Sequence, residues 1–231
     1  MKAILLAGGF GTRLRPLTIN TPKCLVEIAG KPLLYHWVKN LVAIGISEIL
    51  VNTHYLAEQV EQFIHESEFA EFVWIAHEEV LLGTAGTLIS NAKFVGRDEC
   101  LLIHADNYTD ADLGSFLKSH MNRPSQCLFT MMVFRTTTPE RCGIVKIDHD
   151  GVVVKYDEKS FLQNGNLANG AIYALSAGFI ENLNSEQDFS TEVIPQFLGR
   201  IFTSEIQGEF FDIGTPENLN LARTFAEKAL N

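Results

Sequence analysis

The feature that most constrains this chain is a rhythm. Up to residue 120, a short, largely apolar run is followed four times by a longer amphipathic stretch. Ala3–Leu6, Glu48–Asn52, Phe72–Ala76 and Cys100–Ala105 have the length and apolar content of buried strands. Between and after them, Pro32–Ile44, Ala57–Ile64, Thr84–Ala92 and Ala111–His120 carry apolar residues at helical spacing. In the first of these, Leu33, Leu34, Trp37, Leu41 and Ile44 share a face, Pro32 lies near the first turn and Gly45 follows the end. Such alternation predicts a parallel sheet with helices on both faces.

Beyond residue 125 the rhythm changes. Cys127–Phe134, Gly143–Ile147, Val152–Tyr156 and Ala168–Leu175 read as consecutive strands, with His149-Asp150-Gly151 as a turn. A helix over Phe189–Leu198 follows, capped by Asp188 or Ser190. Strands over Ile201–Glu205 and Glu209–Asp212 come next, then a helix from Pro216 to about Lys228. No linker, low-complexity tract or internal repeat interrupts the series. The expectation is one α/β domain over 1–231, Rossmann-like, with three α/β/α layers, a mixed central sheet and a small antiparallel insertion.

Charge excludes one class of partner. With 18 basic and 28 acidic residues the formal net charge is −10, which argues against general nucleic-acid binding. A local group of cations can still bind a small polyanion. The cysteines Cys24, Cys100, Cys127 and Cys142 are scattered, without metal spacing, as expected of reduced thiols in the cytoplasm. No run reaches the length of a membrane span, and the N-terminal apolar run is too short for a signal peptide.

The first predicted strand ends in Gly8-Gly9-Phe10-Gly11-Thr12-Arg13. Glycines there let backbone amides approach phosphate oxygens, although a tight strand-to-helix turn would use them equally well. The string is neither a P-loop, since no GxxxxGK[ST] is present, nor the dinucleotide fingerprint, since Leu14 stands where a glycine is needed. Arg13 and Lys23 nearby supply a planar fork and a point charge for a polyphosphate, with Arg15 an equal candidate for a solvated surface charge.

The string LLAGGFGTRLRPLT, followed by TPK and GKPLL, resembles the signature of the sugar-1-phosphate nucleotidylyltransferases. The resemblance implies their three-layer, GT-A-like nucleotidyltransferase fold. It implies that Ala7, Gly8, Gly9, Gly11 and Thr12 bind a nucleoside triphosphate together with Arg13, that Lys23 contacts the transferring phosphate, and that Arg13 and Lys23 are both catalytic.

Two carboxylates follow predicted strands. Asp106 comes after Cys100–Ala105 and Asp212 after an aromatic run. Both sit where α/β sheets bind ligands, and hard oxygens there suit Mg²⁺. By spacing alone Asp106 is as well read as a cap or Asx turn, among Asn107, Asp110 and Asp112, and Asp212 as a residue pinning the next helix. In the resembling family, matching Asp-Asn and Asp-x-Gly-Thr-Pro settings hold Mg²⁺, which implies Asp106 and Asp212 as metal ligands with Asp106 also catalytic.

Three further blocks resemble the family with departures. Glu158-Lys159 matches its sugar-phosphate contact, with Ser160 in place of proline; a surface ion pair is the plain alternative. Asn169-Gly170-Ala171-Ile172-Tyr173 matches a sugar-binding Asn-(Ala/Gly)-Gly-Ile-Tyr strand with glycine and alanine exchanged, so that Asn169 is a sugar contact or a turn residue. Glu78-Glu79, with Gly83-Thr84-Ala85-Gly86, is similar to guanylyl-transferring members, with Leu81 for proline. It assigns Glu79, Gly83 and Thr84 to the nucleotide and favours GTP, with UTP or CTP as alternatives.

The expectation is therefore a cytoplasmic enzyme joining an NTP to a sugar 1-phosphate, with release of pyrophosphate. A non-catalytic nucleotide-sugar-binding relative is the competing reading. Neither the sugar nor the oligomeric state, a homo-oligomer included, is legible. The chain ends soon after Asp212, so the C-terminal left-handed β-helix of many relatives is not expected.

Overall fold

Strands Lys2–Leu6, Ile49–Thr53 and Val73–His77 pair in parallel in that order, joined by helices Leu33–Ala43 and Ala57–Glu66. The computed structural model describes residues 1–159 and 165–229. These three strands belong to one of two compact units, made of Lys2–Leu81, His104–Ala111 and the segment from Gly208 onward. Its core holds Leu33, Leu34, Trp37 and Leu41 of the expected helix face, whereas Ile44 lies past the helix end and is only half-buried. Ile4, Leu5, Ile49 and Val51 from the sheet are buried together with Leu33, Leu34, Leu41, Val60 and Ile64 from the helices. Helix Pro216–Ala229 belongs to the same unit and buries Leu219, Ala222 and Ala226.

Two short pairings in this unit were not expected. Glu27–Ile28 pairs with Lys31–Pro32 around Ala29 and Gly30, both at positive φ. Asn107–Thr109, which no strand reading covers above, pairs antiparallel with Phe210–Asp212. Three-residue strands are too short for alternation to announce them. Here they are fixed by tertiary bonds: Trp37 Nε1 donates to the carbonyl of Asn107 at 2.8 Å, and Thr109 Oγ1 to that of Glu209 at 2.7 Å.

The other unit comprises Leu82–Ile103 and Asp112–Gln207, together with Met1. Strand Leu167–Leu175 is its axis. It pairs antiparallel with Cys100–His104, with Phe129–Arg135 and, at Ala168, with Gly143–Ile147. Val153–Glu158 continues antiparallel from Gly143–Ile147, and Ile201–Glu205 lies parallel to Phe129–Arg135, so the sheet is mixed. Phe129, Tyr173, Phe179, Phe189 and Phe197 meet edge-on or tilted in its core, geometries that aromatic quadrupoles favour.

Two helices differ from expectation. Phe189–Leu198 is a π-turn over Phe189–Val193 followed by a short α-helix Ile194–Gln196. Pro195 has no N–H to continue an α-helical ladder, and Asp188 provides the cap, accepting from the Thr191 amide at 2.8 Å. Thr84–Ser90 stops at Asn91, whose side chain returns to the Thr87 carbonyl at 2.9 Å; the helix resumes over Ala92–Val95. Among the described residues no helix is long and apolar enough to cross a membrane. All four cysteines are free thiols.

Candidate active site

The parallel unit assembles its site at the carboxyl ends of its strands. Lys2–Leu6 leads into the glycine loop, which Asn52 supports from the neighbouring strand. Asn52 Oδ1 accepts from the amides of Ala7 at 2.7 Å and Gly8 at 3.3 Å, and its Nδ2 donates to Glu78 Oε1 at 3.1 Å. The amides of Ala7 and Gly8 are therefore already engaged within the protein. No acceptor among the described residues takes the amides of Gly9, Phe10, Gly11 or Thr12. A Cβ on Gly9 would point into open space, whereas one on Gly8 would press against Asn52, Leu81 and His54 at 3.1, 3.2 and 3.4 Å. The stretch of backbone open to an oxyanion thus begins at Gly9.

Gly11 turns the loop. Its φ of 61° is left-handed, and a Cβ there would lie 3.0 Å from Thr18 Cγ2 and 3.1 Å from Lys23 Cβ; only glycine meets both demands. The buried Thr18 hydroxyl donates to the Gly11 carbonyl at 2.7 Å. This folds the loop over Lys23, whose side chain is 8% exposed.

Four charged side chains then converge. Lys23 Nζ donates to Asp106 Oδ2 at 2.7 Å and lies 3.7 Å from Asp212 Oδ1; Arg13 Nη2 lies 3.7 Å from Asp212 Oδ2. Asp106 and Asp212 are about half exposed, so both carboxylates also face solvent. Burial alone would raise the Asp106 pKa; the Lys23 ammonium, His104 and the Arg13 guanidinium overcome this, and the net shift is downward. Asp106 is accordingly a carboxylate. It is not a helix cap; Asp112 caps the next helix, accepting from Ser115 N at 3.1 Å.

Gly214 is a contributor that local sequence reasoning did not weigh. A Cβ there would lie 2.5 Å from Arg13 Nη2 and 2.8 Å from Asp212 Oδ1. Its amide donates to Asp212 Oδ1 at 2.8 Å. Asn52 was also missed. The signal for it was faint: a polar residue directly after the apolar run Ile49–Val51. Arg15 is exposed. Cys24 is buried beside Lys23, and burial pushes its thiol up to about 12, so it is a packing residue.

Asp106 and Asp212 give a hard, two-carboxylate donor set, and no third His, Cys, Asp or Glu completes a cage among the described residues. That set fits Mg²⁺, which binds through one or two carboxylates together with substrate phosphates and water.

Of the block read as base-binding, Glu79 is exposed while Glu78 is the buried partner of Asn52. Gly83 and Thr84 belong to the other unit. Gly83 has φ 81°, and a Cβ on it would overlap the Gln187 carbonyl. That carbonyl accepts from the amides of Ala85 at 2.9 Å and Gly86 at 3.3 Å, and Thr84 Oγ1 accepts from Phe189 N at 2.7 Å. Packing against Gln187–Phe189 thus supplies a reason for the glycine that spacing did not offer.

The antiparallel unit gathers the residues assigned to a sugar. Glu158 ends strand Val153–Glu158, with Lys159 Nζ 3.4 Å from its Oε1. Asn169 lies on Leu167–Leu175, where the pairing shifts register between Asn169 and Tyr173. Ala171 stands within that shift at φ 53°, and its amide donates to Asn169 Oδ1 at 2.9 Å. Ser160 lies outside the described residues.

The nucleotidyl transferase family model matches residues 2–229. The mannose-1-phosphate guanylyltransferase catalytic subunit beta of Dictyostelium discoideum is 30% identical over 228 residues, covering 94% of this chain and 62% of its own length. A probable mannose-1-phosphate guanylyltransferase 3 of Oryza sativa subsp. japonica is 30% identical over 227 residues with the same coverage. The chain thus spans less than two thirds of these relatives. Among solved structures, a putative glucose-1-phosphate thymidylyltransferase from Bacillus anthracis, in complex with a sucrose, superposes with a TM-score of 0.86 at 25% identity, over 98% of this chain and 95% of its own. HddC from Yersinia pseudotuberculosis does so with a TM-score of 0.82 at 27% identity, over 97% and 98%. The chain shares its α/β nucleotidyltransferase fold with these two solved structures.

Proposed function

The chain belongs to the nucleotidyl transferase family, and on that premise we propose that it transfers a nucleotidyl group from an NTP, GTP foremost, to a sugar 1-phosphate. One observation carries this reading: Lys23 Nζ stands 2.7 Å from Asp106 and 3.7 Å from Asp212, with Arg13 on the far side of Asp212. Two cations and two carboxylates around open backbone amides suit a reaction that must bring two polyanions together.

The step is an in-line displacement. An oxygen of the sugar phosphate attacks the α-phosphorus, a P–O bond forms, the bond to the bridging oxygen breaks and pyrophosphate leaves. The nucleophile is anionic near neutral pH, so no strong general base is required. The amides from Gly9 to Thr12 hold the triphosphate, Arg13 forks onto its oxygens, and Lys23 stabilises charge on the α-phosphate. Asp106 and Asp212 would hold Mg²⁺, which when bound neutralises phosphate charge and polarises phosphoryl oxygens. Glu158, Lys159 and Asn169 take the sugar and its phosphate.

The proposal of GTP is supported by the guanylyltransferase names of the relatives and by the structural neighbour HddC, also solved in complex with GMP-PN. The thymidylyltransferase neighbour is the reason to include dTTP in any test. The experiment is pyrophosphate release by the purified chain with Mg²⁺, mannose 1-phosphate or glucose 1-phosphate, and each of GTP, UTP, CTP, ATP and dTTP. Release is expected with GTP, dependent on both sugar phosphate and metal. Binding of a nucleotide-sugar without pyrophosphate release from any pair would instead identify a regulatory relative.

A further inference from the structure

Four polar side chains are linked in the antiparallel unit, two of them, Glu158 and Asn169, read above as sugar contacts. The phenol of Tyr156 donates to Glu158 Oε2. Asn169 Nδ2 donates to Tyr173 OH at 2.7 Å and approaches Tyr156 OH at 3.4 Å. The Ala171 amide, which can only donate, is 2.9 Å from Asn169 Oδ1, and this fixes which end of the Asn169 amide faces the phenols. Burial, first of all, raises the pKa of both Tyr156 and Tyr173, so both remain neutral hydrogen-bond donors.

The backbone makes room for this arrangement. A Cβ on Gly143, across the strand pair from Glu158, would overlap the Tyr156 phenol oxygen and lie 2.6 Å from Glu158 Oε2. Gly143 has φ outside the positive range, so its need for glycine is steric. The phenol fills the space a side chain would take, and it points at the carboxylate.

We propose that Tyr156 is a positioning residue that sets which sugar 1-phosphate the chain accepts, by occupying one oxygen of Glu158 and so fixing the orientation of the carboxylate, with Asn169 Nδ2 on the same phenol. The proposal rests on the assignment of Glu158 and Asn169 to the sugar. A free carboxylate presents two oxygens and can grip two neighbouring hydroxyls at once. With Oε2 held by Tyr156 and Lys159 Nζ 3.4 Å from Oε1, Glu158 keeps one further lone pair of Oε1 for a hydroxyl, and Asn169 keeps the remaining lone pair of Oδ1. The pair therefore presents one acceptor each, at fixed positions, and selects sugars whose hydroxyls donate at those two points. An epimer with one hydroxyl inverted leaves a half-buried acceptor unmatched, a loss that costs affinity.

The test is Tyr156→Phe, which keeps the ring and removes the hydroxyl. Steady-state kinetics would be measured with GTP and mannose 1-phosphate, its C2 epimer glucose 1-phosphate, and galactose 1-phosphate, with Lys155→Ala on the same strand as control. The expected result is a KM for the preferred sugar phosphate raised about tenfold, preference among the three sugars reduced by a similar factor, and KM for GTP unchanged. Lys155→Ala should match the wild type. Unchanged sugar preference in Tyr156→Phe would overturn the proposal while leaving the transfer reaction standing. A uniform fall in every kinetic constant, with a lowered Tm, would also overturn it and assign Tyr156 to packing. Failure of the wild-type chain to release pyrophosphate with any pair would defeat the functional reading itself.

Discussion

Asp212 lies directly opposite Asn107 in the antiparallel pairing of Phe210–Asp212 with Asn107–Thr109. The residue before Asn107 is Asp106, so this register carries the second carboxylate to the first across more than a hundred residues of chain. The carbonyl of Asp106 also accepts from the amide of Ile213 at 3.3 Å. Between the two carboxylates the Lys23 ammonium is held at 2.7 and 3.7 Å.

Lys23→Ala should lower kcat/KM for nucleotidyl transfer by at least ~10²-fold, a loss of roughly 3 kcal/mol of transition-state stabilisation. Steady-state kinetics alongside circular dichroism checks it. Near-normal turnover in a folded variant would remove Lys23 from the chemistry.

The Asp106 carboxyl has a lowered pKa in the folded chain, because Lys23, His104 and Arg13 outweigh the opposing effect of burial. A group depressed on folding adds stability above its unfolded pKa, about 3.9 for aspartate. That contribution fades as pH falls through the lower folded value. The difference in urea midpoint between wild type and Asp106→Asn should therefore be constant from neutral pH to about pH 5 and shrink as the medium is acidified below about pH 4. A difference that grows on acidification would reverse the sign of the shift.

Asn52→Ala removes the acceptor of the Ala7 and Gly8 amides and the donor to Glu78. The expected cost is about 2 kcal/mol of stability, with KM for the NTP raised because the glycine loop loses its support. Urea denaturation and NTP titration read the two effects separately. A loss of stability alone would confine Asn52 to folding.

Gly214→Ala places a methyl 2.5 Å from Arg13 Nη2. Arg13 is largely exposed and can swing away, so Tm should change little while kcat/KM falls by roughly tenfold or more, on the order of 1.4 kcal/mol. Unimpaired catalysis would show that the guanidinium need not stay beside Asp212.

Ala171→Gly should stabilise the chain by roughly 0.5–1 kcal/mol. Ala171 holds φ 53° within the register shift of its strand, a left-handed conformation that costs an L-residue about 1 kcal/mol and glycine little, part of the gain being offset by glycine's greater unfolded-state entropy. A chemical-denaturation midpoint measures it. The exchanged order of Gly170 and Ala171 relative to the family pattern thus puts alanine where the backbone suits glycine.

Most strands and helices were legible because they are local. Gly143–Ile147 and Ile201–Glu205 fall where alternation set them, and helix Leu33–Ala43 lies between Pro32 and Gly45. Periodicity, glycine and proline act over a few residues, so the sequence alone could announce them. It also presented Arg13, Lys23, Asp106 and Asp212 as candidates and left Asp106 balanced between a ligand and a cap. Tertiary structure removed the cap from that choice, since Asp112 caps the helix, and brought Asp212 next to Asp106 through the Asp212–Asn107 register. It likewise decided that Asn52 holds the Ala7 and Gly8 amides, that Gly214 yields space to Arg13, and that Tyr156 occupies half of Glu158. Each of these depends on chain segments meeting through backbone pairing and steric fit, and no local pattern of residues encodes such meetings.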